Sequence, residues 1–91
     1  MSKLLWGLAV GPVAASFLNG MHPGKARAQI VKKYRTLQID PHPAGCKKLV
    51  DMKHSDEPVW RIRSGDYRIL YVVREQEVVV IDIDHRKDVY R

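Results

Sequence analysis

Residues 60 to 71 read Trp60-Arg61-Ile62-Arg63-Ser64-Gly65-Asp66-Tyr67-Arg68-Ile69-Leu70-Tyr71, and they leave little freedom in how the chain can pair with itself. Strand side chains alternate between faces, so Trp60 and Ile62 point one way while Arg61 and Arg63 point the other. Gly65-Asp66 forms a two-residue loop with glycine first, the order that suits a type II′ turn, and this sets Ser64 opposite Tyr67. Arg63 then faces Arg68, Ile62 meets Ile69, and Trp60 meets Tyr71. One side of the hairpin becomes a packed apolar surface and the other gathers Arg61, Arg63 and Arg68. Like charges directly opposite each other weaken a sheet, so this grouping points to an anion, with phosphate the obvious candidate.

Val78 to Asp84 continues the sheet, and its register decides where Asp82 and Asp84 go. A three-residue loop, Glu75 to Glu77, pairs Val73 with Val79, Tyr71 with Ile81 and Ile69 with Ile83. A two-residue loop would turn Asp82 into the core, where an unpaired carboxylate is costly. The longer loop is therefore expected, with Asp84 across from Arg68 on the arginine face.

The first half of the chain has a helical character. Leu4 to Val10 is a short apolar run stopped by Gly11-Pro12, which reads as a buried central strand. Pro12 suits a first helical turn and starts a short helix through about Asn19, closed by Gly20. Pro23 opens a second helix, in which Ala26, Ile30, Tyr34 and Leu37 form an apolar stripe with Lys25, Lys32, Lys33 and Arg35 off it. Asp40-Pro41-His42-Pro43-Ala44-Gly45 cannot prolong a helix and marks the passage to the sheet. These elements predict an α+β fold, ordered β-α-α-β-β-β, with an N-terminal strand and a two-helix hairpin packed on a twisted, antiparallel-rich sheet.

The 91 residues suffice for one domain, spanning 1–91. The formal charge is +6, unevenly spread: residues 1–59 carry nine basic and four acidic side chains, residues 60–91 seven and six. The first part supplies general attraction to a polyanion, and the second sets specific charges among counter-charges. Cys46 is the single cysteine, which excludes an internal disulfide and fits a reducing, cytoplasmic setting. Lys3 and the run after it loosely imitate a secretory signal, but Gly7, Gly11 and Pro12 interrupt it, and it is too short to span a bilayer. His22, His42 and His54 lack the spacing of a metal pair, so no metal is expected.

Three segments resemble the RelE and ParE toxins of bacterial toxin-antitoxin systems: Pro43-Ala44-Gly45-Cys46-Lys47-Lys48-Leu49, then Trp60 to Tyr71 as quoted, then Asp84-His85-Arg86-Lys87-Asp88-Val89-Tyr90-Arg91. The resemblance implies the family's compact fold, no cofactor, and a cognate antitoxin as partner. In the RelE branch it further implies a ribosome-dependent mRNA endonuclease without metal, in which the ribose 2′-hydroxyl attacks the adjacent phosphate and the 5′-oxygen leaves. Carried over by position, Arg61 and Arg63 match the basic pair on the strand, and Arg68 the arginine that holds the scissile phosphate. Arg86 matches the arginine near the leaving group and Tyr90 the tyrosine that stacks on a base. The family's basic pair is often lysine; arginine keeps the charge and is harder to deprotonate. The competing expectations are a ParE-like inhibitor of DNA gyrase without chemistry of its own, and a catalytically inactive RNA-binding relative.

Guanidinium groups held in place can stabilise charge growing on the equatorial phosphate oxygens. Proton transfer needs a group that titrates near neutrality, and His85 is the one histidine close in sequence to this cluster. Packing at the strand end would equally explain it. Lys47, Lys48, Lys53 and Lys87 are the candidate RNA contacts; the first three would otherwise need no explanation as a solvated loop.

Overall fold

The computed structural model describes residues 5–85. Strand β1 (Gly7–Val10) leads into helix α1 (Pro12–Gly20), helix α2 (Lys25–Arg35) and a 3-10 turn (Thr36–Gln38). Four strands follow: β2 (Lys47–His54), β3 (Glu57–Ser64), β4 (Tyr67–Arg74) and β5 (Glu77–His85). They form one five-stranded sheet ordered β1-β5-β4-β3-β2, antiparallel except for β1, which runs parallel to β5. The α+β architecture expected from the sequence is present, with one strand more than the patterning predicts.

That extra strand is β2. Its Lys47-Lys48-Leu49-Val50-Asp51-Met52-Lys53-His54 has no clean alternation and is almost wholly exposed, which hides it from pattern reading. It lies at the sheet edge, where lysines are tolerated because they discourage pairing with other chains. Its ladder with β3 is also interrupted between Lys48 and Lys53, with Asp51 at φ 66°. Strand β1 is likewise an edge strand, in place of the expected central one, and is half-covered at most. Gly11 fits the close approach at its end: its N–H donates to the Val80 carbonyl at 2.8 Å, and a Cβ there would lie 3.2 Å from that oxygen.

The helices cover one face of the sheet. Ala14 and Leu18 of α1, Ile30 and Tyr34 of α2, and Leu37 pack with Ile62, Ile69, Tyr71, Val78, Val80 and Ile83. Ala26, expected on the apolar stripe, is exposed, because α2 starts only at Lys25 and its buried side begins a turn later. Trp60, Tyr67 and Trp6 pack against this core. Tyr71 is fully buried and its hydroxyl donates to the Pro41 carbonyl at 2.7 Å, tying the inter-half loop to the sheet. Burial drives the Tyr71 phenol well above its ordinary value, so it stays a neutral donor.

The β3–β4 hairpin has the expected register, from Trp60↔Tyr71 to Ser64↔Tyr67, with Gly65 at φ +58°. The β4–β5 connection corrects the expectation. Its turn has two residues, Glu75 and Gln76, both at positive φ (47° and 66°), the geometry of a type I′ turn. Val73 thus pairs with Val78 and Tyr71 with Val80. The predicted burial of Asp82 is avoided because the register shifts between Leu70 and Tyr71: Ile81 is an extra residue, a β-bulge. Beyond it the pairs are Leu70↔Asp82, Ile69↔Ile83 and Arg68↔Asp84, the last two as expected.

Candidate active site

Directly opposed residues in an antiparallel ladder share a face, so the registers build two rows on the side of the sheet away from the helices. Lys47, Arg61, Leu70 and Asp82 form one row across β2 to β5; Arg63, Arg68 and Asp84 form the next. Four cations stand against two carboxylates, and the sign changes along each row, positive toward β2 and negative toward β5. Leu70 of the first row packs with Val59 and Val72, and with Leu49, Val79 and Ile81, in a second apolar cluster. Arg61, Arg63 and Arg68 are therefore brought together on one face, as expected from the hairpin.

Their environments differ. Arg68 is bound by Asp84 through two hydrogen bonds, Nε to Oδ1 at 3.0 Å and Nη2 to Oδ2 at 3.3 Å. Arg61 is half-buried and its Nε has no hydrogen-bond partner among the described residues. Burial first, then repulsion from Arg63 and Arg68, lowers its pKa; a guanidinium starts so high that it remains a cation at neutral pH. A buried donor left unpaired beside two like charges is unfavourable for the fold, and an anion would relieve it. Asp82 is half-buried and its carboxyl is pushed up by desolvation and by Asp84, against the pull of the Ile83 N–H, which donates to its Oδ1 at 2.8 Å, and of Arg68.

The other expected residues are placed less uniformly. His85 lies across from Tyr67 and stacks edge-on against it, ring centroids 4.9 Å apart, on the helix side of the sheet. The alternation that sends Asp84 to the arginine face sends His85 to the other, which separates the expected proton-transfer group from the cluster. Lys47 pairs with Arg61 and joins the arginine face, whereas Lys48 pairs with Trp60 and Lys53, past the irregularity, with Pro58. Arg86, Lys87 and Tyr90 lie outside the described residues. Among the described residues no group of His, Cys, Asp and Glu is arranged to hold a metal, and no helix is long and apolar enough to cross a membrane.

By the sequence pattern Lys32 and Lys33 lie only on the basic outer side of α2. In the structure they border a cleft against β3: one cavity of about 420 Å³ is lined by Gln29, Lys32, Lys33, Thr36, Arg63 and Gly65 among others. A second, of about 310 Å³, lies between Lys33, Gly45, Arg61 and Arg63. The packing of α2 on β3 creates this proximity, and no local signal in the sequence carries it.

The fold is a small α+β one that several solved toxins share. Archaeal RelE in its complex with RelB from Pyrococcus horikoshii is similar with a TM-score of 0.73, at 20% identity over 89% of this chain and 94% of that one. The RelBE2 toxin-antitoxin complex of Mycobacterium tuberculosis gives 0.70 at 24% identity, over 90% and 99%. A doubly substituted Escherichia coli toxin RelE in the free state gives 0.66 at 23% identity, over 92% and 86%. No curated protein matches the chain in sequence. The family model of the ParE toxin of type II toxin-antitoxin systems, parDE, matches residues 15–90, and the chain belongs to this family.

Proposed function

We propose that this toxin is a RelE-like, ribosome-dependent mRNA endonuclease. The observation that carries the reading is the convergence of Arg61, Arg63 and Arg68 on one sheet face, with Arg61 half-buried, its Nε without a hydrogen-bond partner among the described residues, and repelled by the other two. In the reaction the ribose 2′-oxygen forms a bond to the neighbouring phosphorus as its proton passes to water. The bond from phosphorus to the 5′-oxygen breaks, and that oxygen takes up a proton from water, leaving a 2′,3′-cyclic phosphate. Negative charge builds on the equatorial oxygens, and Arg68 and Arg61 meet it with charge-assisted hydrogen bonds while Arg63 holds the flanking phosphate. Lys47 adds a positive charge beside Arg61.

With His85 packed on Tyr67, the chemistry rests on electrostatic stabilisation by the arginines, and His85 acts as a positioning residue at the end of β5. Arg86 near the leaving oxygen, Tyr90 stacked on a base and Lys87 on the backbone are proposed from their matching positions in the family. Lys48 and Lys53 extend the basic edge of β2 for RNA. A cognate antitoxin is the expected protein partner, in keeping with relatives solved as toxin-antitoxin complexes.

A second reading is supported by the match to the ParE model and by the Arg68–Asp84 pair, which a protein without phosphate chemistry could keep as a simple surface contact. That reading is inhibition of DNA gyrase. Primer extension on mRNA translated with the protein separates the two. Cuts inside codons that disappear in Arg68→Ala support the nuclease, and absent cuts together with blocked DNA supercoiling establish the gyrase inhibitor. Loss of a phosphate-stabilising arginine is expected to slow cleavage on the order of 100-fold or more.

A further inference from the structure

The strongest unassigned feature is the cleft between α2 and β3. Its two cavities meet at Lys33 and Arg63, and together they are bordered by four cations, Lys32, Lys33, Arg61 and Arg63, and by no acidic side chain. None of the four forms an ion pair among the described residues. The last turn of a helix favours lysine on electrostatic grounds, which accounts for Lys32 and Lys33 but not for the arginines brought against them.

Two backbone features keep the cleft open. The β2–β3 ladder begins at Lys47↔Arg61, so residues 62–64 of β3 have no strand on their outer side. Gly45 and Gly65 lie one in each cavity, and even a Cβ at either would meet nothing within 4 Å. A chain can therefore pass around the open end of β3, from the arginine face to the α2 side, with Arg63 touching both stretches.

We infer that this cleft is a second phosphate site that holds the backbone of single-stranded RNA one or more nucleotides away from the bond being cut, with Lys32 and Lys33 as its phosphate ligands. The inference rests on the nuclease reading for the identity of the strand. Point charges on flexible stems suit a backbone of variable sequence. The shared Arg63 then couples grip to cleavage: a strand held at α2 is already aligned over Arg61 and Arg68.

The test uses the purified full-length toxin and a short fluorescent oligoribonucleotide whose 2′-hydroxyls are methylated, so that it binds without being cut. Anisotropy is followed between about 50 and 200 mM salt. Each phosphate contact on a single strand adds about 0.7 to the slope of log affinity against log salt. Lys32→Gln/Lys33→Gln is expected to reduce that slope by about 1.4, and Lys32→Arg/Lys33→Arg to restore it. In heteronuclear spectra the Gly45 and Gly65 amides of the parent are expected to shift on titration and to stop shifting in the glutamine variant. Both lysines are exposed, so the variants are expected to fold, which a matching thermal melt verifies. An unchanged slope with unshifted glycine amides overturns the inference, and does so even if Arg68→Ala still abolishes codon cuts. Conversely, a reduced slope in a toxin that cuts no translated mRNA leaves the cleft standing and removes the nuclease.

Discussion

Asp84 is the test of whether the arginine face is built for an external anion. Its carboxylate holds Arg68 by two hydrogen bonds at 3.0 and 3.3 Å, with side chains 22% and 26% exposed on the arginine and aspartate respectively. A phosphate that uses Arg68 must displace this internal counter-ion. Exposed pairs contribute about 0.2–1 kcal/mol, and a bidentate, partly shielded pair belongs at the upper end, about 1 kcal/mol. Asp84→Asn keeps the shape and removes the charge. At about 1.36 kcal/mol per tenfold in rate, kcat/KM for cleavage is expected to rise about fivefold, while unfolding stability falls by about the same 1 kcal/mol.

The assay is single-turnover cleavage of mRNA on ribosomes paused with an empty A site, alongside urea unfolding of each variant. Arg68→Ala provides the lower reference, on the order of 100-fold or more below the parent. A fivefold gain with a small stability loss identifies Asp84 as a competitor for Arg68. A loss as deep as that of Arg68→Ala refutes the reasoning: Asp84 would then orient the guanidinium or move a proton, and the pair would belong to the machinery.

Tyr71→Phe removes the bond to the Pro41 carbonyl and leaves that buried acceptor unpaired; it is expected to cost about 1–3 kcal/mol in urea unfolding, with cleavage unchanged once folded protein is compared. Asp82 has its carboxyl raised by burial, so the folded state binds its proton more tightly than the unfolded chain does, and stability declines as pH rises from the ordinary 3.8 through the raised value. Asp82→Asn retains an acceptor for the Ile83 N–H and is expected to flatten this decline, so that its advantage in thermal melts is absent in acid and present at neutral pH; an equal advantage at all pH values counts against a titrating Asp82. Deleting Ile81 removes the bulge residue while leaving Leu70↔Asp82 and Ile69↔Ile83 in register. The deletion is expected to fold with an Ile69–Ile83 cross-strand contact by NMR and to lose roughly 2–5 kcal/mol from the second apolar cluster; loss of that contact would show that the bulge sets the register.

Ile81 also shows where legibility ends. The pairing from Trp60 to Tyr71 could be read because a two-residue glycine turn and strict alternation fix each other, leaving one register that keeps both faces consistent. Further along, the same physics admitted two solutions to the Asp82 problem. A longer turn and a bulge both keep a carboxylate off the core face, and they differ only in whether the one extra residue sits in the turn or further along β5, at Ile81, which alternation cannot weigh. Glu75 and Gln76 carry no glycine or asparagine to announce their positive φ, so the turn gave no warning. The penalty against burying Asp82 was real, and the chain met it by another route.

The site follows the same division. Arg61, Arg63 and Arg68 share a strand pair joined by a short turn, so their convergence is a local property and was visible. His85 failed as a neighbour of that cluster for an equally local reason: one step along β5 from Asp84 is a change of face, and sequence proximity to Arg68's partner placed it on the wrong side. Lys32 and Lys33 reach Arg63 only because α2 lies against β3, about thirty residues away in the chain. Contacts of that kind depend on how a helical hairpin is set on a sheet, which the apolar stripe of α2 constrains only to a face. The half of the charged surface that the hairpin builds was thus open to inspection in the sequence, and the half that tertiary packing adds became visible only with the fold, which is why the expected loss for Lys32→Gln/Lys33→Gln tests the packing as much as the charge.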